Sequence, residues 1–110
     1  MYSLGYNRRL HKKHQFIQFF YSPEVFRTPE CVFFRVKNTA KTFRLGITLK
    51  IKTSSVVRNK LKRQIREVFR KSTPKLGEYD YNIVIPNSKK VDHNYIIKLR
   101  KNLFRKIETL

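Results

Sequence analysis

Arg58-Asn59-Lys60-Leu61-Lys62-Arg63-Gln64-Ile65-Arg66-Glu67-Val68-Phe69-Arg70 reads as a helix with two unlike faces. Wound at about 100° per residue, Val57, Leu61, Ile65 and Val68 fall on one side. Arg58, Asn59, Lys62, Arg63, Arg66 and Arg70 gather in an adjoining arc of roughly 140° at the same pitch. One face therefore packs on a core while the other holds a dense set of cations outward. A helix face that is merely solvated mixes signs, with Glu placed four residues before Lys. Here the only acid is Glu67, which projects off the arc. Such an arc calls for an external counter-charge, and phosphate suits the planar fork of arginine.

The flanking segments give this helix its setting. Thr53-Ser54-Ser55 offers N-caps, and Pro74 stops the helix near Lys71 to Thr73. Upstream, Phe43, Leu45, Ile47, Leu49 and Ile51 alternate with Arg44, Gly46, Thr48 and Lys50, the period of a half-buried strand. Glu30 to Lys37, rich in Val and Phe, reads as another strand, with a turn at Asn38-Thr39-Ala40-Lys41. These two strands are expected to pair as an antiparallel hairpin. Downstream, Tyr81, Ile83 and Ile85 mark a third strand stopped by Pro86. Asp92 or Asn94 then caps a last helix with the stripe Ile96, Leu99, Leu103 and Ile107. At the other end, Leu10, His14, Ile17 and Tyr21 share a stripe from Arg9 to Tyr21, with Phe16 and Phe20 beside it. That helix must end before Ser22-Pro23, and residues 1–7 read as a loose arm. The expectation is one α+β domain over residues 1–110, in the order α-β-β-α-β-α.

Composition narrows the function. Lys and Arg number 26 against 7 acids, a formal charge of +19 on 110 residues that are 40% apolar. The apolar share supports a folded core, and self-repulsion on that scale favours a polyanionic partner. No apolar run approaches the ~20 residues of a spanning helix and the N-terminus shows no secretory core, so membrane binding is the weaker expectation. Cys31 is the single cysteine, which excludes an intrachain disulfide and fits a buried side chain in a cytoplasmic protein. His11, His14 and His93 have no cysteine or carboxylate at metal-ligand spacing.

Phe16 and Phe20, one helical turn apart, suit either a stacking platform for unpaired bases or the core. Basic residues expected near such a platform are Lys12, Lys13, Arg35, Arg44 and Lys50, while Phe19, Phe33, Phe34 and Phe43 read as core. Of the acids, only Glu78 and Asp80 form a close pair, and at a strand start they read as a turn or cap. With no Gly-rich phosphate loop and no nucleophile motif, the chain reads as a nucleic-acid binder more clearly than as a self-contained catalyst.

The pattern Arg58-Asn59-x-x-Lys62-Arg63-x-x-Arg66, followed by Phe69-Arg70, resembles the signature of the bacterial ribonuclease P protein subunit. Arg44-x-Gly46, Leu10-x-Lys12-Lys13 with Phe16 and Phe20, and the strand opening at Asp80 extend the resemblance from about Arg8 to Ile107. It implies a small α/β sandwich with the family's left-handed βαβ crossover, where helix chirality alone favours the right-handed one. It implies a protein subunit of an endoribonuclease that removes the 5′ leader of precursor tRNA, with catalysis supplied by an RNA subunit and Mg²⁺ held mainly by that RNA. The expected partners are ribonuclease P RNA and precursor tRNA, with no DNA and no membrane. By position it assigns Arg58, Asn59, Lys62, Arg63, Arg66 and Arg70 to the RNA-binding helix. It assigns Phe16, Phe20 and Phe34 to a leader-binding cleft, with Lys12, Lys13, Arg44 and Lys50 on the leader backbone, and no catalytic or metal-binding side chain. The segment Leu49 to Val57 departs from the family in lacking its glycine. Two other classes compete: a structural RNA-binding protein of ribosomal type, and an independent nuclease relying on Glu78 and Asp80.

Overall fold

The computed structural model describes residues 8–87 and 90–110; the expected arm at residues 1–7 lies outside them. In chain order the elements are α1 (Lys13–Ile17), a 3₁₀ turn (Gln18–Phe20), β1 (Glu24–Arg27), β2 (Val32–Lys37), β3 (Arg44–Leu49), α2 (Ser55–Lys71), α3 (Thr73–Leu76), β4 (Tyr79–Ile85) and α4 (His93–Glu108). The larger elements keep the expected α-β-β-α-β-α order, and β1 and α3 are short additions.

One expectation is overturned by the sheet. Its strand order is β1-β2-β4-β3, so β4 lies between the two strands expected to form a hairpin. β2 pairs antiparallel with β4, Phe33 opposite Ile83, while β3 runs parallel to β4, Leu45 beside Tyr81. The reason is burial. β4 is the most buried strand and takes the centre, where it is paired along both edges. The hairpin that does form joins β1 to β2, closed where Thr28 N–H donates to the Cys31 carbonyl at 2.9 Å.

Register places Phe33, Leu45, Tyr81, Ile83 and Ile85 on one face of the sheet. The stripes of α2 (Leu61, Ile65, Val68, Phe69) and α4 (Ile96, Leu99, Leu103, Ile107) join them in one buried cluster. Phe69 meets the edge of Tyr81 at a centroid distance of 5.3 Å, and the Tyr81 hydroxyl donates to the Leu76 carbonyl at 2.6 Å. Ser54 caps α2 by accepting from Val57 N–H at 3.3 Å, and Asp92 caps α4 by accepting from Tyr95 N–H at 2.8 Å. Cys31 is buried as expected, and burial pushes its thiol up to about 11, so it stays protonated.

The first helix is shorter than its periodicity suggests. Helix occupies only Lys13–Ile17 and tightens into the 3₁₀ turn. Leu10 precedes the helix, its N–H donating to the Leu45 carbonyl at 2.9 Å along the outer edge of β3. Gln15 takes over the cap, its side-chain oxygen accepting from His11 N–H at 2.8 Å and Lys12 N–H at 2.9 Å. Leu10 and Phe19 are buried, whereas Ile17 and Tyr21, expected on the same stripe, are exposed.

Candidate nucleic-acid interface

Packing of Leu61, Ile65, Val68 and Phe69 fixes the roll of α2, and the cationic arc is what remains outside. The arc is less uniform than the sequence suggests. Arg58 Nη1 donates to the Ile51 carbonyl at 3.0 Å, tying the helix entrance to the end of β3. Arg70 is a correction to the free-cation expectation: its Nε and Nη2 donate to the Glu67 carboxylate at 3.1 and 2.5 Å. Lys71 Nζ lies 3.6 Å from the same carboxylate. The Arg70 hydrogen bonds hold the Glu67 carboxyl below the usual carboxylate range. Among the described residues, Lys62, Arg63 and Arg66 are the members of the arc with no hydrogen-bonded or ion-paired side chain, and Asn59 is exposed beside them. Burial lowers the Arg66 guanidinium, and the neighbouring charge of Arg9 lowers it further.

The opposite face of the sheet carries the second set of expected residues. Register brings Arg44, Gly46 and Thr48 of β3 beside Asp80, Asn82 and Val84 of β4, with Phe34 of β2 across from Asn82. Asp80 organises this face. It is fully buried and accepts from Arg44 Nε and Nη2 at 2.7 Å each, from Gln18 Nε2 at 2.7 Å and from Asn38 Nδ2 at 2.8 Å. Burial alone would raise its carboxyl, but these donors and the Arg44 charge outweigh that and hold it below the usual range. Through Gln18 the carboxylate anchors the 3₁₀ turn that carries Phe19 and Phe20. Phe20 is 83% exposed, and Phe34 is half-buried. Lys12, Lys13 and Lys50 are exposed.

The Phe16 ring packs close against Gly46. A Cβ at position 46 would stand 2.5 Å from Phe16 Cε1 and 3.2 Å from Leu10 Cδ1. Glycine is required here for close approach. Gly46→Ala is expected to displace the Phe16 ring and cost about 1–3 kcal/mol, as overpacking does. Thermal melts check this, and an unchanged midpoint would mean the ring gives way without loss.

Several expectations change with these contacts. The resemblance places Arg44 on the leader backbone; in the structure its fork is committed to Asp80, because a buried carboxylate at the adjacent register position demands a partner. Arg35 was expected near the aromatic platform. Register puts it on the core side, where it bonds Glu24 at 2.5 Å and lies over the rings of Phe26 and Tyr79, 5.2 and 4.1 Å from their centroids. Asp80 is not a turn residue, and its three side-chain partners leave it no role as a free general base. Sequence reading missed Gln18, Asn38 and Arg9. Gln18 and Asn38 lie 62 and 42 residues from Asp80 along the chain, and no local pattern links them. Among the described residues no three His, Cys, Asp or Glu side chains are grouped to hold a metal ion, and no helix is long and apolar enough to cross a membrane.

Comparison with known proteins identifies the family and the fold. A family model described as Ribonuclease P matches residues 4–108. The ribonuclease P protein component of Haemophilus influenzae (strain PittGG) is 32% identical over 111 residues, covering 96% of this chain and 93% of that protein. The solved RNase P protein from Thermotoga maritima superposes with a TM-score of 0.75 at 26% identity, over 93% of this chain and 96% of that one. That from Staphylococcus aureus superposes at 0.78, over 93% and 94%, and at 23% identity its likeness speaks to the fold.

Proposed function

We propose, since this chain belongs to the ribonuclease P protein family, that its two surfaces hold two RNAs in one productive arrangement. The chain is the protein component of ribonuclease P, the endoribonuclease of tRNA 5′ processing, and its partner within that ribonucleoprotein is RNA. The observation that carries the proposal is the set Lys62, Arg63 and Arg66, buried at its base by Leu61 and Ile65 and left without a carboxylate partner. This face of α2 is assigned to the ribonuclease P RNA. The sheet face with Phe20, Phe34 and the lysines is assigned to the single-stranded leader of precursor tRNA, where an exposed ring supports stacking worth about 1–3 kcal/mol per base.

The physical work is neutralisation and positioning. Two RNAs repel each other, and cations placed between them release counterions and offset that repulsion. Holding the leader fixes the scissile bond against the RNA-borne site and removes orientational freedom before reaction. Mg²⁺ supplies charge stabilisation and activation of water when bound. The described side chains offer no cluster for it, so in this reading RNA supplies its ligands. The expected compartment is the cytoplasm.

The test is cleavage of precursor tRNA by bacterial ribonuclease P RNA at low Mg²⁺, with and without this protein. Stimulation should appear with both components and vanish when the leader is trimmed to a single nucleotide. Equal rates with and without protein would overturn the proposal. Tight, salt-sensitive binding to ribosomal RNA without stimulation would favour a structural RNA-binder.

A further inference from the structure

α2 and α4 pack side by side on the sheet, and the seam between them is open on its outer side. The core stripe of α4 is Ile96, Leu99, Leu103 and Ile107. Beside it, at helical spacing, run Ile97, Lys101 and Phe104, and Ile97 is 49% and Phe104 42% exposed. With Arg100 of α4 and with Val68 and Lys71 of α2, they line a groove of about 350 Å³. The neighbouring stripe already fills the core, so packing of the domain does not account for this second one. Exposed apolar side chains gathered inside a polar rim mark interaction surfaces.

The rim carries one sign. Lys71, Arg100 and Lys101 stand round the apolar floor, and no carboxylate is among the lining residues. The two helices hold one acid each, and both acids are engaged: Glu67 by Arg70 and Lys71, Glu108 by Lys75 at 3.8 Å. These features select the occupant. A second copy is disfavoured, because a chain of charge +19 would set cations against cations. RNA matches the charge but not the floor, since Val68 and Ile97 have no ring on which a base can stack. A helix with an apolar stripe and acidic flanks matches both, laying its stripe in the groove and its carboxylates against the rim.

We propose that the groove between α2 and α4 is a docking site for an acidic, amphipathic helical segment of a protein partner. Its place on the fold separates it from the RNA-binding surfaces. At the pitch of α2, Lys71 lies about 140° round from Arg66 and about 180° from Lys62. The groove therefore opens on the flank of α2 away from the cationic arc, and a partner seated there leaves the arc free for RNA.

The test uses the full chain, with the Ile97 methyl group as reporter in NMR and its signal identified by its loss in Ile97→Val. The probes are two helical peptides with the same leucine stripe, one flanked by glutamates and one by lysines, and a single-stranded oligonucleotide. The glutamate peptide should move the Ile97 signal to saturation, and the lysine peptide should not. Arg100→Glu combined with Lys101→Glu should weaken the glutamate peptide by about tenfold and turn the preference to the lysine peptide, an exchange that a purely structural role would not produce. Should that variant fold poorly, Phe104→Ser, at an exposed position, keeps the test decisive by weakening the glutamate peptide through the floor alone. Both variants should stimulate precursor-tRNA cleavage as the wild type does, and loss of stimulation in a folded variant would assign the groove to RNA assembly and overturn the proposal. A signal moved by the oligonucleotide and not by the glutamate peptide would overturn it in favour of RNA. A signal that moves when the chain alone is concentrated would overturn it in favour of a second copy. No response to the glutamate peptide would overturn it outright.

Discussion

Asp80→Ala is expected to lower stability by about 3 kcal/mol, because it removes the carboxylate of a buried ion pair together with two amide hydrogen bonds. For a domain of this length that is a fall of roughly 10–20 °C in melting temperature. The cost arises because Arg44, Gln18 and Asn38 all converge on Asp80, whose side chain is wholly buried. The effect reaches the function as well. Gln18 opens the 3₁₀ turn that ends in Phe20, so freeing it loosens the exposed ring and should weaken leader binding. The pH dependence has a definite sign. The folded carboxyl titrates below its ordinary value of about 3.9, so its stabilisation is fully present above about pH 4 and is lost as pH falls through the lower folded value. The gap in melting temperature between wild type and variant should therefore be wide at neutral pH and close in acid. A gap that stays constant down to strongly acid pH would show that Asp80 acts through packing alone.

Leu61→Ala and Arg63→Ala, two residues apart on α2, should separate stability from binding. Leu61 has no exposed surface and lies within the core cluster, so truncation should cost about 2–5 kcal/mol through lost burial and the cavity left behind. Arg63 is exposed, and its loss should leave stability within about 0.5 kcal/mol. RNA affinity should move the other way. Arg63→Ala weakens binding and reduces the salt slope by about 0.7–0.9, whereas Leu61→Ala leaves the slope intact wherever the protein remains folded. Denaturant melts and salt-dependent binding of both variants check the pair. A stable Leu61→Ala protein would place the helix in a different roll, and a destabilised Arg63→Ala protein would mean the arc is structural.

Much of this was readable from periodicity. The stripes of α2 and α4, the alternation in β3, and the caps Ser54 and Asp92 are local features, set by which residues recur every two or every 3.6 positions. The first helix misled for an equally local reason. Leu10, His14 and Ile17 keep helical spacing, yet Leu10 gains more by bonding to the edge of β3 and covering Gly46 than by continuing a helix of marginal length. The signature on α2 was legible as a class of residue, but the division of labour within it was not. Arg58 and Arg70 carry the same charge as Arg63, and only their neighbours reveal that the first ties down Ile51 and the second pairs with Glu67.

By itself the sequence determined the element order, the helix that bears the cations, the polyanionic partner and the family. Each of these depends on spacing along one helix or strand, or on total charge, which distance in space does not alter. Only the tertiary structure decided that β4 enters between β2 and β3, that Asp80 binds Arg44, Gln18 and Asn38, and that Arg9 and Arg66 line one pocket. The physical reason is that burial is settled by the whole chain. A strand takes the centre where the rest of the chain covers it most completely, and a buried charge takes whichever partners the resulting register sets beside it.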